Sequence, residues 1–271
     1  MPSPAPQTTV PTLGQSPLDE GRFRSRLRAG EATLGTFAGM ASPVAAEVCA
    51  ASGFDWVLVD LEHGAGGDAQ LAALIPAVAC YGIPAFVRVE SDARIRIGRA
   101  LDLGAAGIML PRLEEVEEVR DALGHLRYPP QGDRGVATNN RACRYGLDPG
   151  ALDRANGNII GIVQIESSRA VDNVEAIAAL DGADVLFVGP RDLSHDLGVP
   201  GDTAAPVFVR AIERVRAACE KYGKTPGLMV TDGAAALAMR RQGWRFVSVG
   251  SDSTILSGAV AAQAAIARSA G

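Results

Sequence analysis

The residues GADVLFVG, 182–189, decide how this chain folds. A small-residue turn leads into a short apolar run, Val185 to Val188, which stops at Gly189. The run is continuous rather than alternating, as expected of a parallel strand covered on both faces. The same design recurs as GFDWVLVD (53–60), GAAGIMLP (104–111) and GWRFVSVG (243–250).

Outward from these four, strands are expected at 34–37, 56–60, 85–89, 107–110, 160–165, 185–188, 225–230 and 246–249. Between them lie Ala-, Leu- and Val-rich stretches with helical spacing, such as 68–80 and 205–222. Strand alternating with helix means βαβ units and a parallel sheet. Eight such strands in 271 residues predict a closed (β/α)8 TIM barrel. No GxGxxG follows the first strand, which argues against a dinucleotide fold and a nucleotide cofactor. One catalytic barrel domain is expected over 21–271. Residues 1–20, rich in Pro, Ser, Thr and Gln, read as a disordered leader without the apolar region of a signal peptide.

Composition narrows the function. Hydrophobic residues make up 47%, enough for a substantial core, and the formal net charge is −5. No basic stripe is visible, so nucleic acid is not an expected partner. No apolar run reaches membrane-spanning length, so a soluble, cytoplasmic protein is expected. Cys49, Cys80, Cys143 and Cys219 show no CxxC spacing, and three of them fall on apparent helix faces. They read as buried free thiols. The irregular stretch 128–146, YPPQGDRGVATNNRACRYG, is long for a connection. It is expected to be functional or to touch another subunit.

The polar residues gather where strands end, the catalytic side of this fold. Asp60, Glu62 and His63 follow the second strand, and Arg88 ends the third. Gln164 and Glu166 end the fifth, while Arg191 and Asp192 follow the sixth. Glu166 and Asp192 admit two readings from spacing alone. They are oxygen ligands for a hard cation such as Mg2+ or Mn2+, or they cap the helices that start beside them. Arg88 either meets a substrate anion or pairs with a neighbouring acid. His63, three residues after Asp60, is a candidate general base oriented by that carboxylate. The chain has two lysines, Lys221 and Lys224, expected on the opposite face. A Schiff-base lysine is therefore not expected, and a metal must serve as electron sink.

These segments together resemble the HpcH/HpaI aldolases, the metal-dependent class II pyruvate aldolases. The resemblance is carried by GFDWVLVDLEHG (53–64), LDLGAAGIMLPRLE (101–114), YPPQGDRGVA (128–137), VQIES (163–167) and GADVLFVGPRDLS (182–194). It implies reversible cleavage of 4-hydroxy-2-oxo acids, of the 2-oxo-3-deoxy sugar acid or 4-hydroxy-2-oxoheptanedioate type. The products are pyruvate and an aldehyde, formed through a metal-bound pyruvate enolate. By this resemblance Glu166 and Asp192 hold the metal (Mg2+, Mn2+ or Co2+), and Arg88 stabilises the enolate. His63, with Asp60 as partner, handles the proton. Gln164 lies near metal and substrate, and the loop of Gly189, Pro190 and Arg191 offers backbone N–H groups to the pyruvate carboxylate. Phe37 supplies aromatic packing at the site. The resemblance also implies a last helix packed on a neighbouring subunit, in a homohexamer. A second reading is an acyl-CoA carbon–carbon lyase of the citrate lyase β-subunit or malyl-CoA type.

Overall fold

The structure is a computed structural model that describes residues 21–269. Eight strands form a closed, all-parallel barrel in sequence order, with β8 returning to β1. They are β1 Thr33–Ala38, β2 Trp56–Asp60, β3 Ala85–Arg88, β4 Gly107–Leu110, β5 Ile160–Ile165, β6 Ala183–Val188, β7 Thr225–Val230 and β8 Phe246–Ser251. Every residue of β2, β3, β4 and β5 is buried, which is why their sequences lack alternation. Strand β6 begins earlier than expected, at Ala183, despite the charge on Asp184. That carboxylate is satisfied: it accepts from the Gly161 amide at 3.0 Å and pairs with Arg24 at 2.5 Å. The expected leader, 1–20, lies outside the described residues.

The recurring glycine of the sequence pattern has one geometric job. Gly53, Gly104, Gly182 and Gly243 all turn the chain into a strand at φ between 91° and 102°. Side chains with a Cβ disfavour that region.

The helices, α1 Arg22–Arg28, α2 Pro43–Ala51, α3 Asp68–Ala79, α4 Arg94–Asp102, α5 Val116–Gly124, α6 Ala151–Asn158, α7 Ser168–Asp172, α8 Val174–Ala178, α9 Pro190–Asp196, α10 Pro206–Tyr222, α11 Gly233–Arg241 and α12 Asp252–Arg268, follow in chain order. Two apolar cores result. One lies between the strands and the helices around them, and the other fills the barrel. Inside, the Trp56 ring stacks on Phe246 at 4.0 Å between centroids. Helix α1 brings Phe23 to within 5.6 Å of Phe86 and buries Leu27, closing the N-terminal end.

Two expectations change here. Cys49, Cys143 and Cys219 are buried, but Cys80 is exposed, because it caps α3 where the chain turns off the core. Burial pushes the Cys49 thiol up to about 11 and Cys219 up to about 12, so both stay protonated and unreactive. The 128–146 stretch leaves the end of α5 and packs against the N-terminal side of the barrel. Arg134 pairs with Asp102, the last residue of α4, at 2.8 Å. The stretch therefore lies away from the mouth of its own barrel.

No helix among the described residues is long and apolar enough to cross a membrane. Along α12 only Asp252 is buried, and Ile255, Leu256, Val260 and Ile266 are exposed.

Candidate functional site

The C-terminal ends of β2, β3 and β5 bring the polar residues into one connected array. Alternation inside the barrel sets it up: Phe86 and Ile162 fill the interior, and two residues later Arg88 and Gln164 face the same way. Arg88 lies at its centre. Its Nε donates to Asp60 Oδ1 at 2.9 Å and its Nη2 to Asp60 Oδ2 at 2.7 Å, a bidentate pair. Its Nη1 lies 3.0 Å from Glu62 Oε2 and 3.5 Å from Gln164 Oε1. The guanidinium also sits 5.2 Å from the centroid of the Phe37 ring. Burial works against this charge, but the hydrogen bonds and charge of Asp60 hold it above the ordinary arginine range. The ion-pair reading of Arg88 is therefore realised, and the pair faces the mouth.

Gln164 passes the array on. Its Nε2 donates to Glu166 Oε2, and the Arg112 amide donates to Glu166 Oε1 at 2.7 Å. Arg112 reaches that position with φ 57°, a left-handed backbone uncommon for a side chain of its size. Glu166 is thus not a helix cap. Ser167 caps α7, its hydroxyl accepting from the Ala170 amide at 3.1 Å. Asp192 does occupy the first turn of α9, where a negative charge suits the helix dipole. It is exposed, but its charge reaches Glu166. Burial raises the Glu166 carboxyl above the usual carboxylate range, the Arg112 amide opposes this, and the charges of Asp192 and Glu62 add to the rise. Glu166, Asp192 and Arg112 line an open cavity of about 730 Å³.

The expected pairing of Asp60 with the His63 ring is not what forms. Asp60 Oδ1 accepts from the backbone amides of Glu62, at 3.1 Å, and His63, at 3.3 Å, while both its oxygens hold Arg88. The exposed His63 ring has Glu62 as its neighbour, Nε2 to Oε2 at 3.8 Å. Glu62 is the site residue that sequence reasoning passed over. The signal was present: Asp60 and Glu62 are two residues apart at a strand end, so both face inward. In the 189–191 loop the Gly189 amide is taken by the Ile165 carbonyl at 3.2 Å, and proline has no N–H. Arg191 is left as the residue of the three with an amide to offer a ligand. Lys221 pairs with Glu175 and Lys224 donates to the Leu180 carbonyl, both on the N-terminal side.

The residues present fit a hard dication. Asp60, Glu62, Glu166 and Asp192 outnumber the single guanidinium of Arg88, so the mouth lacks positive charge. The available donors are oxygens. A Cβ at Gly189 would come within 2.8 Å of Glu166 Oε2 and Gln164 Nε2, so this glycine keeps the approach to the carboxylate open. Among the described residues no group of three or more His, Cys, Asp or Glu gathers around one point. Two carboxylates from the protein would leave the other positions to water and substrate, as in open catalytic sites of hard cations.

The family model for HpcH/HpaI aldolase/citrate lyase matches residues 33–259. The chain belongs to that family. This makes the HpcH/HpaI protein a carbon–carbon lyase, and metal dependence comes with the family's class II aldolases. It is 38% identical over 231 residues to 5-keto-4-deoxy-D-glucarate aldolase of Klebsiella pneumoniae, covering 85% of this chain and 90% of that one. It is 36% identical over 248 residues to hydroxypyruvate/pyruvate aldolase of Sagittula stellata, covering 92% and 98%. A crystal structure of a family protein from Burkholderia cenocepacia J2315 superposes with a TM-score of 0.86 at 37% identity, over 91% of this chain and 98% of that one.

Proposed function

We propose that this protein, one catalytic domain over 21–271, cleaves 4-hydroxy-2-oxo acids reversibly to pyruvate and an aldehyde. The observation that carries the reading is the array Asp60–Arg88–Gln164–Glu166 opening on Asp192: a dry guanidinium beside carboxylates that need a cation. Glu166 and Asp192 hold that cation, Mg2+, Mn2+ or Co2+. When bound, it polarises the 2-oxo group and lowers the energy of the enolate.

The protein's own groups do the rest. Arg88, locked by Asp60, keeps a fixed positive charge where negative charge develops. Gln164 holds the Glu166 carboxylate in place and spaces it from Arg88. His63, steadied by Glu62, takes the proton from the C4 hydroxyl, and the C3–C4 electron pair then passes into the 2-oxo group. The Arg191 amide meets the substrate carboxylate, beside Pro190 and Gly189, and Phe37 packs against the reacting end. The uncovered apolar side chains of α12 support packing of that helix on a neighbouring subunit in a homohexamer. A cytoplasmic location agrees with the acidic composition and the absence of a spanning helix among the described residues.

The test is a panel of 4-hydroxy-2-oxo acids, with sugar-acid and dicarboxylic members, assayed with each metal. Pyruvate is followed through a coupled dehydrogenase. Metal-dependent pyruvate release from one of them is expected. No release across the panel, with cleavage of malyl- or citramalyl-CoA instead, would transfer the reading to the acyl-CoA lyases.

A further inference from the structure

The opposite end of the barrel holds a cavity that the aldol reaction does not use. Its walls come from segments that lead into strands: 82–84 before β3, 104–106 before β4, and Ile159 and Ile160 at the start of β5. Helix α1, helix α6 and part of the 128–146 stretch complete it. Its volume is about 190 Å³. An apolar cavity of roughly 150 Å³ is known to accept one benzene ring. This one therefore has room for a single ring and a small polar group.

The walls are of two kinds. Phe23, Ile83, Pro84, Leu101, Ile159 and Ile160 offer apolar surface. Arg22, Arg24, Arg26, Arg134, Arg144 and Arg154 face only Asp55 and Asp148 within the lining. Asp184, Glu31 and Asp102 pair with Arg24, Arg26 and Arg134 from outside it, and cations remain in the majority. Three buried polar atoms in this lining have no hydrogen-bond partner among the described residues: Tyr128 Oη and the Nε atoms of Arg24 and Arg134. Tyr128 is 5% exposed and Arg134 2%. The Arg134 guanidinium sits 4.4 Å from the centroid of the Tyr128 ring, so two of these donors belong to groups in contact. Buried donors left unpaired cost free energy, and an entering acceptor recovers it.

We propose that this N-terminal cavity is a second ligand site, and that it takes a small aromatic monocarboxylate. The ring lies on the apolar wall. The carboxylate, an acceptor with two oxygens, meets Tyr128 Oη and Arg134 Nε. From Ile160 at the cavity to Glu166 at the mouth is six residues of extended chain, roughly 20 Å, so the two ligands do not touch. The proposal does not depend on the aldolase reading.

Benzoate is the probe, titrated into the full-length protein by calorimetry and by ligand-observed NMR. Benzyl alcohol keeps the ring without the charge, and acetate keeps the charge without the ring. Saturable binding of one benzoate per chain is expected, with both controls at least about tenfold weaker. Saturating pyruvate with Mg2+ should leave the benzoate affinity unchanged. Ala155→Phe, which fills the cavity from α6, should weaken benzoate at least about tenfold. Ala142→Phe does the same from the 128–146 stretch, should either variant lose its fold by circular dichroism. Absence of saturable benzoate binding, displacement by pyruvate and Mg2+, benzyl alcohol binding as tight as benzoate, or two folded plug variants with unchanged affinity would each overturn the proposal.

Discussion

At the N-terminal end of the barrel, Trp56 stacks on Phe246 and α1 seals the interior with Phe23 and Leu27. At the C-terminal end, Asp60, Glu62, Glu166 and Asp192 crowd around Arg88. The first arrangement lowers the free energy of the fold by itself. The second stores an unmet demand for positive charge, and Glu166 carries it as a carboxyl that resists ionising. Stability and chemistry are thus assigned to opposite ends of the same eight strands, and changes at one end should leave the other largely intact.

The largest effect tests the mouth. Glu166→Gln should lower metal-dependent pyruvate release by about a thousandfold or more, since it removes a buried ligand without changing shape. A mutant of near wild-type rate would take Glu166 out of the site. Arg88→Lys keeps the charge but loses the bidentate fork to Asp60, and a loss of about a hundredfold in kcat is expected. The corresponding blow at the other end is Trp56→Ala. Urea denaturation should show about 3–5 kcal/mol of lost stability, with kcat/KM of the folded fraction within about twofold of wild type. A large fall in kcat/KM there would break the separation of the two ends. Glu62→Gln comes next: kcat should fall by about tenfold as His63 loses its neighbour, while metal affinity, read by calorimetry, stays the same.

The smallest effect is a matter of pH. The folded-state pKa of Glu166 is raised above its unfolded value, so the folded state holds its proton more tightly. The contribution of this group is present below the ordinary carboxylate range. It is lost as pH rises through the raised value. Thermal unfolding of the metal-free protein should therefore lose stability with rising pH across that window, and Glu166→Gln should lessen the loss. Metal binding needs the ionised form, so metal affinity should climb over the same window. A metal affinity that does not vary there would contradict the assigned ligand.

The barrel was legible because strands buried on both faces must be continuously apolar, as VLFV at 185–188 is. The floor was not. Helix α1 spells RFRSRLR, where four arginines hide the two apolar residues that matter, Phe23 and Leu27. At the mouth, Arg88, Gln164 and Glu166 could be placed on strand ends from sequence, but their order of contact could not. His63 follows Asp60 so closely that the two looked like partners. The backbone turn instead spends Asp60 on amides and on Arg88, and gives Glu62 to the histidine. The 128–146 stretch was open to a topological argument. A segment between a helix and the next strand starts at the N-terminal face, whatever its length.

The placement of the two lysines has a practical consequence. Lys221 is exposed near the end of α10, and Lys224 stands beside it at the entry to β7, both on the sealed side of the barrel. Coupling this protein to a solid support through its side-chain amines would tether every copy by its floor. The immobilised layer would present its mouths to the solution, oriented by composition alone.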